Sequence, residues 1–356
     1  MERAELHYPL AFCPLPPLQE LPSLPIMRFR FSGHESFPCR YTWLPKAYLA
    51  LRENPHVFSD ENEAMVQLGV GKNMVRAIRF WVQLAGIAQP HAELPGLHIT
   101  PFGHAIFHPE GFDPYLEDVR TLWLIHWKFC SHVDEPMFAW YFMLNQWAEP
   151  ELSRSELLRA FKLEATKQDR SLSDTTLSQH LDIFLHTYLP ARGKKGEVLE
   201  DNLDCPLTEL NLLLPSGERL TELVDGRRHE PVYAFRRDHK PEITGALMAY
   251  CLHDFWRLNR PHEASLTFRE VAVVPGSVGQ LFKLSEQDLR DRLESLATDS
   301  LDLLEYRASA ALPRVLKTYE WSAESEAQLL ANVYQRDVTN YITLQTSQPE
   351  EVVDHA

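Results

Sequence analysis

Two sets of residues in this chain have the types and spacing for chemistry on a phosphodiester. The first is acidic. Leu199-Glu200-Asp201-Asn202-Leu203-Asp204-Cys205-Pro206-Leu207 places Glu200, Asp201 and Asp204 within one short segment. Carboxylates so close can hold a divalent cation, Mg2+ or Mn2+, and a metal-dependent nuclease needs such ligands to orient a water for in-line attack on phosphorus. One segment supplies few fixed ligands. The competing reading is an Asp-rich turn that caps a helix beginning near Pro206. The second set is basic and lies in Lys72 to Ala85, after the break Leu68-Gly69-Val70-Gly71. At about 100° per residue, Lys72, Arg76, Arg79 and Gln83 share one stripe. Val75, Ile78, Val82 and Ala85, with Met74 and Trp81 beside them, fall on the opposite side. A helix apolar on one face and cationic on the other can pack on a small core and meet a polyanion. Lys72, Arg76 and Arg79 would then hold phosphates or read guanine edges, and Asn73 would reach an adenine. The bland alternative is a helix whose polar side is simply solvated.

The flanking segments favour the first of these. Glu63 to Leu68 reads as a short helix, Gly86 as a C-cap, and Ile87-Ala88-Gln89 and Leu97-His98-Ile99-Thr100 as two short strands around a Pro/Gly turn. A helix-turn-helix followed by a hairpin is the pattern of a winged helix. Gly71-Lys72 is not a phosphate loop, because Val66 and Asn73 stand where a glycine and a Ser or Thr are needed. His34-Glu35 can act as a base and its orienter, but a tight turn after Gly33 in which both satisfy backbone groups explains them as well. No nucleophile elbow, Cys/His nucleophile arrangement or dinucleotide fingerprint is present.

Composition sets the frame. The 356 residues are 44% hydrophobic and 24% charged, with a formal net charge of −15. That is a globular chain long enough for two or three domains. So acidic a protein repels nucleic acid over most of its surface, so DNA binding must come from a local basic patch. The five cysteines lie far apart, without zinc or redox spacing, as expected of free thiols in the cytoplasm. Thr121 to Trp147, the most apolar stretch, is interrupted by His126, Lys128, His132, Asp134 and Glu135 and is too broken to span a bilayer.

The expected fold class is mainly α (α+β), multi-domain, with winged-helix and helix-turn-helix units and small β-wings. Residues 1–26 read as a disordered Pro-rich extension, with Met27 as a cleaner start. Residues 27–110 form the N-terminal winged-helix unit. Residues 111–190 hold an aromatic-rich helical unit in which Asp113 caps a helix with Pro114 at its first position. There Trp123, Trp127, Trp140 and Trp147 form core rather than a base-stacking platform. A second helix-turn-helix-like pair follows, with Ser155 to Phe161 as one helix and Ser173 capping the next. The connection between them carries Lys162, Lys167 and Arg170, which can touch a phosphate backbone. Residues 191–230 read as a loop-rich segment with the acidic motif. Its basic turn, Arg192-Gly193-Lys194-Lys195-Gly196, makes Lys194 and Lys195 further DNA contacts on a second wing. Residues 231–346 form a C-terminal helical and winged unit. It includes a helix over 242–258, strands at Leu266-Thr267-Phe268 and Leu303 to Tyr306, and a helix capped by Ser285 whose alternating charges suit a solvated face. Residues 347–356 form a disordered tail.

Five motifs in order resemble the DUF4007 family. They are Phe31-Ser-Gly-His-Glu-Ser-Phe37, Leu68-Gly-Val-Gly-Lys-Asn-Met-Val75, Asp113-Pro-Tyr-Leu-Glu-Asp118 with Thr121-Leu-Trp-Leu124, Glu200-Asp-Asn-Leu-Asp-Cys-Pro-Leu207 and Pro275-Gly-Ser-Val-Gly-Gln280. The resemblance implies a bacterial defence protein acting on DNA in a phosphorothioation system, since one member type is SspB, a DNA-nicking component. It implies double-stranded DNA and phosphorothioation proteins as partners: a cysteine desulfurase, a PAPS-reductase-like protein and an ATPase. No catalytic set comes with the family, so Glu200, Asp201 and Asp204 rest on their chemistry alone. The expected function is a DNA-binding component and metal-dependent nickase. The alternatives are a noncatalytic winged-helix adaptor or regulator that recruits partner enzymes, and a helical scaffold whose stripe binds an acidic protein. A homodimer is compatible with either.

Overall fold

The computed structural model describes residues 28–167, 172–190, 205–223, 226–309, 311–320 and 322–337. The described chain is mixed α+β, helix-rich with small antiparallel sheets. It opens with helices α1 (Trp43–Glu53), α2 (Glu61–Leu68) and α3 (Lys72–Leu84), then a hairpin of β1 (Ala88–Pro90) and β2 (Leu97–Ile99), then α4 (Pro101–Phe107). The middle holds α5 (Val119–Cys130) and α6 (Phe138–Tyr141), the latter running into a π-helical turn at Phe142–Gln146. Strand β3 (Glu151–Ser153) and helices α7 (Arg154–Lys167) and α8 (Asp174–Tyr188) follow. A 3-10 turn at Pro206–Leu210 leads to strands β4 (Leu213–Leu223) and β5 (Gly226–Phe235). The last stretch contains α9 (Gly245–Asn259), β6 (Ser265–Thr267), α10 (Phe268–Val273), α11 (Val278–Leu281), α12 (Glu286–Glu294) and α13 (Leu296–Asp299). Strands β7 (Leu304–Arg307) and β8 (Arg314–Lys317) and helix α14 (Ala323–Val333) complete it.

A common plan recurs three times. In each case helices lead into an antiparallel hairpin: α1–α3 into β1–β2, α7–α8 into β4–β5, and α10–α12 (with α13) into β7–β8. In the second and third cases an earlier strand joins the hairpin on its second strand, giving the orders β3-β5-β4 and β6-β8-β7. The helix starts follow local rules. Ser173 accepts from the Thr176 N–H, Thr244 from Leu247, Ser285 from Asp288, and Thr267 forms a capping box with Glu270.

The three units meet in an aromatic core. Trp81 of α3 packs against Phe129 of α5 and edge-on to Trp140 of α6, and Trp140 meets Phe184 of α8 at 5.3 Å between ring centres. Trp127 and Trp123 of α5 reach Phe282 on the far side. Trp123, Trp127 and Trp140 are buried and Trp147 is half-buried against Phe142, so these rings pack among other side chains, as the core reading expects. Several polar groups inside are paired, while the buried Trp123 indole N–H has no hydrogen-bond partner among the described residues. The Trp140 indole N–H donates to the Tyr188 hydroxyl, which lies 2.7 Å from His126 Nδ1, and His126 Nε2 donates to the Leu281 carbonyl at 3.0 Å. That carbonyl only accepts, so the proton sits on Nε2 and the tyrosine donates to Nδ1.

Three expectations need correction. Asp113 does not cap a helix with Pro114 inside it. Its carboxylate accepts the Glu117 and Asp118 N–H groups in a turn where Leu116 is left-handed, and the helix begins at Val119 under an Asp118 cap. The stretch 191–230 is not all loop, since β4 and much of β5 lie within it and pair over most of their length. Alternation around a turn is hard to see there because Pro215 and Gly217 flank a break in the register. The α12 face is not simply solvated either, because Asp288 and Arg292 are buried.

Candidate nucleic-acid interface

Helix α3 is set by its two ends. Gly69 closes α2 in the left-handed region, φ +63°, a conformation that a side chain would strain. Gly71 then starts α3, and Gly86, also left-handed at φ +68°, follows its end. Between these points Val75, Ala77, Ile78, Phe80, Trp81, Val82 and Leu84 are buried, and the Trp81 indole N–H donates to the Phe37 carbonyl at 3.0 Å. Lys72, Asn73, Arg76 and Arg79 are exposed, as the helical wheel predicts. Gln83 is half-buried and donates back to the Arg79 carbonyl.

The cations are not equivalent. Arg76 grips Glu61 with Nε at 2.6 Å and Nη2 at 3.2 Å, and Lys72 reaches the same carboxylate at 2.9 Å. These hydrogen bonds, with Arg76 first, hold the Glu61 carboxyl down at about 2, far below its ordinary value. Arg79 has no ion-pair partner among the described residues. Two features escaped the sequence reading. Glu61 is one, because the approach of α2 to α3 is invisible in a single-helix wheel. Lys46 is the other: from α1 its ammonium donates to the Leu68 carbonyl at 3.2 Å, at the turn where α3 begins. The β1–β2 tip, His91 to Gly96, carries no Lys or Arg and is tied to the α1–α2 loop through Leu97 N–H to Pro55 O. Helix α3 carries three of the eight Lys and Arg residues in 27–110, and all three are exposed on one stripe.

The other predicted contacts fall elsewhere. Lys162 pairs with Asp174 at 2.7 Å and Lys167 with Glu164 at 2.8 Å, while Arg170 is outside the described residues. Lys194, Lys195, Glu200, Asp201 and Asp204 also lie outside them. The described end of the acidic motif is Cys205 and the turn Pro206–Leu210, which fits the helix expected near Pro206. Cys205 is buried and donates to the Thr187 carbonyl. From the same turn Glu209 accepts the Tyr41 hydroxyl at 2.8 Å, with Asp113 and Glu117 close enough to act on that tyrosine electrostatically. Among the described residues no three His, Cys, Asp or Glu side chains converge as metal ligands.

His34 is no exposed base. It is buried, accepts the Ser36 N–H on Nδ1 and stacks on His180 with Nε2 3.2 Å from His180 Nδ1. Burial pushes its pKa down to about 4. The tight-turn reading accounts for it, and the His180 partner could not have been seen from a neighbouring motif.

Comparison with known proteins places this geometry in context. Two solved structures, one of magnesium ion-bound SspB and one of SspB, superpose with TM-scores of 0.72 and 0.70. Each is 24% identical to this chain, and the match covers 89% of this chain and 94% of the other. At that identity the likeness is one of fold. Among curated proteins nothing matches. No helix among the described residues is long and apolar enough to cross a membrane. The DUF4007 family, described as proteins of unknown function, matches residues 31–334. The chain belongs to the DUF4007 family.

Proposed function

We propose that this protein is a DNA-binding component of a bacterial phosphorothioation system and that it docks on double-stranded DNA through α3. The observation that carries the reading is the exposed stripe Lys72, Asn73, Arg76 and Arg79, presented by a helix whose opposite face is fixed in the aromatic core. The α1–α3 and hairpin arrangement supports a winged-helix reading of this unit, with α3 in the major groove and phosphates on its cations. The recurrence of helices followed by a hairpin supports the same reading for the other two units. Family membership and likeness in fold to SspB support the phosphorothioation setting.

Nicking is the further part of the proposal. Glu200, Asp201 and Asp204 would hold Mg2+ or Mn2+, an ion that stabilises charge on a phosphodiester and lowers the pKa of a bound water. A magnesium-bound structure of SspB makes that ion a natural choice. The test is conversion of supercoiled plasmid to open circles with Mg2+, Mn2+ or EDTA, for the wild type and for Asp201→Ala and Asp204→Ala. Metal-dependent nicks lost in both variants are expected. Binding in a gel shift with no nicks, even with the desulfurase and PAPS-reductase-like partners added, would replace the nickase by the recruiting adaptor.

A further inference from the structure

Glu61 sits on the two cations to which the docking reading assigns DNA phosphates. Arg76 presents Nε and Nη2 side by side to both carboxylate oxygens, and Lys72 closes on one of them from the preceding turn. That fork recognises a carboxylate and a phosphate by the same geometry. The carboxylate has no capping role where it stands. The first N–H groups of α2, those of Asn62 and Glu63, are taken by Asp60, so Glu61 plays no part in capping its own helix. Its side chain is a third exposed, and Lys72 and Arg76 are more exposed still, so solvent and a ligand can reach all three. An exposed pair of this kind adds little to stability. One turn further along, Arg79 extends the stripe without an ion-pair partner among the described residues.

We propose that Lys72 and Arg76 form a phosphodiester-binding site whose resident occupant is the Glu61 carboxylate, and that DNA must displace it. This rests on the DNA-docking reading and adds a regulator to it. Glu61 mimics the ligand, lowers the affinity of α3 for any polyanion, and restricts binding to a duplex whose remaining contacts outweigh the exchange. In an acidic protein that must still let go of nonspecific DNA, such a competitor sets the threshold for release.

The test is a fluorescence-anisotropy titration of a labelled duplex with the full chain at several salt concentrations. The proteins are the wild type, Glu61→Gln, Glu61→Ala, Arg76→Ala, the double variant Glu61→Gln/Arg76→Ala, and Glu63→Gln as a control on an exposed acid of the same helix. Removing the Glu61 charge should tighten binding about fivefold or more and steepen the salt dependence by about one counterion. Glu63→Gln should change affinity less than about twofold, as expected for a charge outside the contact. The double variant should show only the smaller part of the gain, because Lys72 alone remains to be released. The inference is overturned if wild-type binding depends on Arg76 while both Glu61 variants, with unchanged melting temperature, bind no tighter. It is also overturned if Glu63→Gln gives the same gain, because net charge alone would then explain it. Binding that ignores Arg76→Ala, or no binding by any protein, would instead overturn the docking reading, and the inference with it.

Discussion

Helices α3 and α12 each stand before an antiparallel hairpin, yet α3 turns all its cations outward and α12 turns one of its two inward. On α3, Lys72, Arg76 and Arg79 face water. On α12 the exposed positions are Glu286, Gln287, Asp291 and Glu294; Arg290 is half-buried, paired with Glu286 and lying over the Phe268 ring, and Arg292 is buried. Arg292 donates to the Lys240 carbonyl at 2.8 Å and to the Ile243 carbonyl, and pairs with Asp288 at 3.1 Å. Lys240 and Lys283 are buried beside this unit and donate to the Asp238, Lys283 and Leu144 carbonyls. One scaffold therefore uses positive charge in two ways. In the third unit it joins segments from inside, and in the first it lies at the surface, where Glu61 holds Lys72 and Arg76 within reach of solvent. The helix before the second hairpin, α8, belongs to neither class, since its exposed positions are Asp174, Thr175, Gln179 and His186.

The sharpest way to break this contrast is to delete an arginine from each helix. Arg292→Ala takes the buried cation from Asp288, leaving it the exposed His239, and removes a donor from the Lys240 and Ile243 carbonyls, so it should cost about 3 kcal/mol of stability, the low end for a broken buried pair. A urea melt reads this, while DNA affinity per folded molecule should stay the same. A loss under 1 kcal/mol would show that Arg292 does not join the unit together.

The second effect is one of pH. Burial, helped by Arg237, lowers the Lys283 amine from its ordinary 10.5 to about 7. Lys240 moves the same way, to about 8, mainly through burial. Between about pH 7 and 10.5 the unfolded chain holds a proton on Lys283 that the folded chain gives up. Stability therefore rises with pH across that window and stops changing on this account below it. Lys283→Met should remove most of that slope, a difference of about 2–3 kcal/mol between pH 7 and 9.5. Parallel urea melts of the wild type and the variant with the same slope would show that the amine keeps an ordinary pKa.

Arg76→Ala should do the reverse of Arg292→Ala. Its ion pair with Glu61 is exposed, so stability should change by less than about 1 kcal/mol. DNA affinity should fall about tenfold as a phosphate contact is lost. If melting shifts more than binding does, α3 is using its cations structurally, as α12 does.

The sequence made the first unit readable and the third only partly so, for a physical reason. Periodicity reports which residues lie on one face of one helix. It placed Val75, Ile78 and Val82 inward and Lys72, Arg76 and Arg79 outward, and caps at Ser173 and Ser285 fixed two helix starts. It says nothing of what approaches that face from elsewhere. Glu61 comes from another helix, His180 meets His34 across 146 positions, and Arg292 finds its carbonyls about 50 residues away. Alternating charges on α12 suggested water on all sides, because a buried Arg–Asp pair four residues apart has the same pattern as an exposed one. Asp113 misled in a similar way, since an Asp before a Pro signals a helix start and a tight turn alike.

The most direct test is a duplex-DNA titration of the wild type beside Lys72→Ala/Arg76→Ala/Arg79→Ala, repeated at several salt concentrations and paired with thermal melts. If α3 is the docking helix, the triple variant keeps its melting transition, binds at least about tenfold more weakly, and shows a salt slope shallower by about two to three. A folded triple variant that binds with the wild-type affinity and slope would contradict the account and move DNA contact, if there is any, off α3.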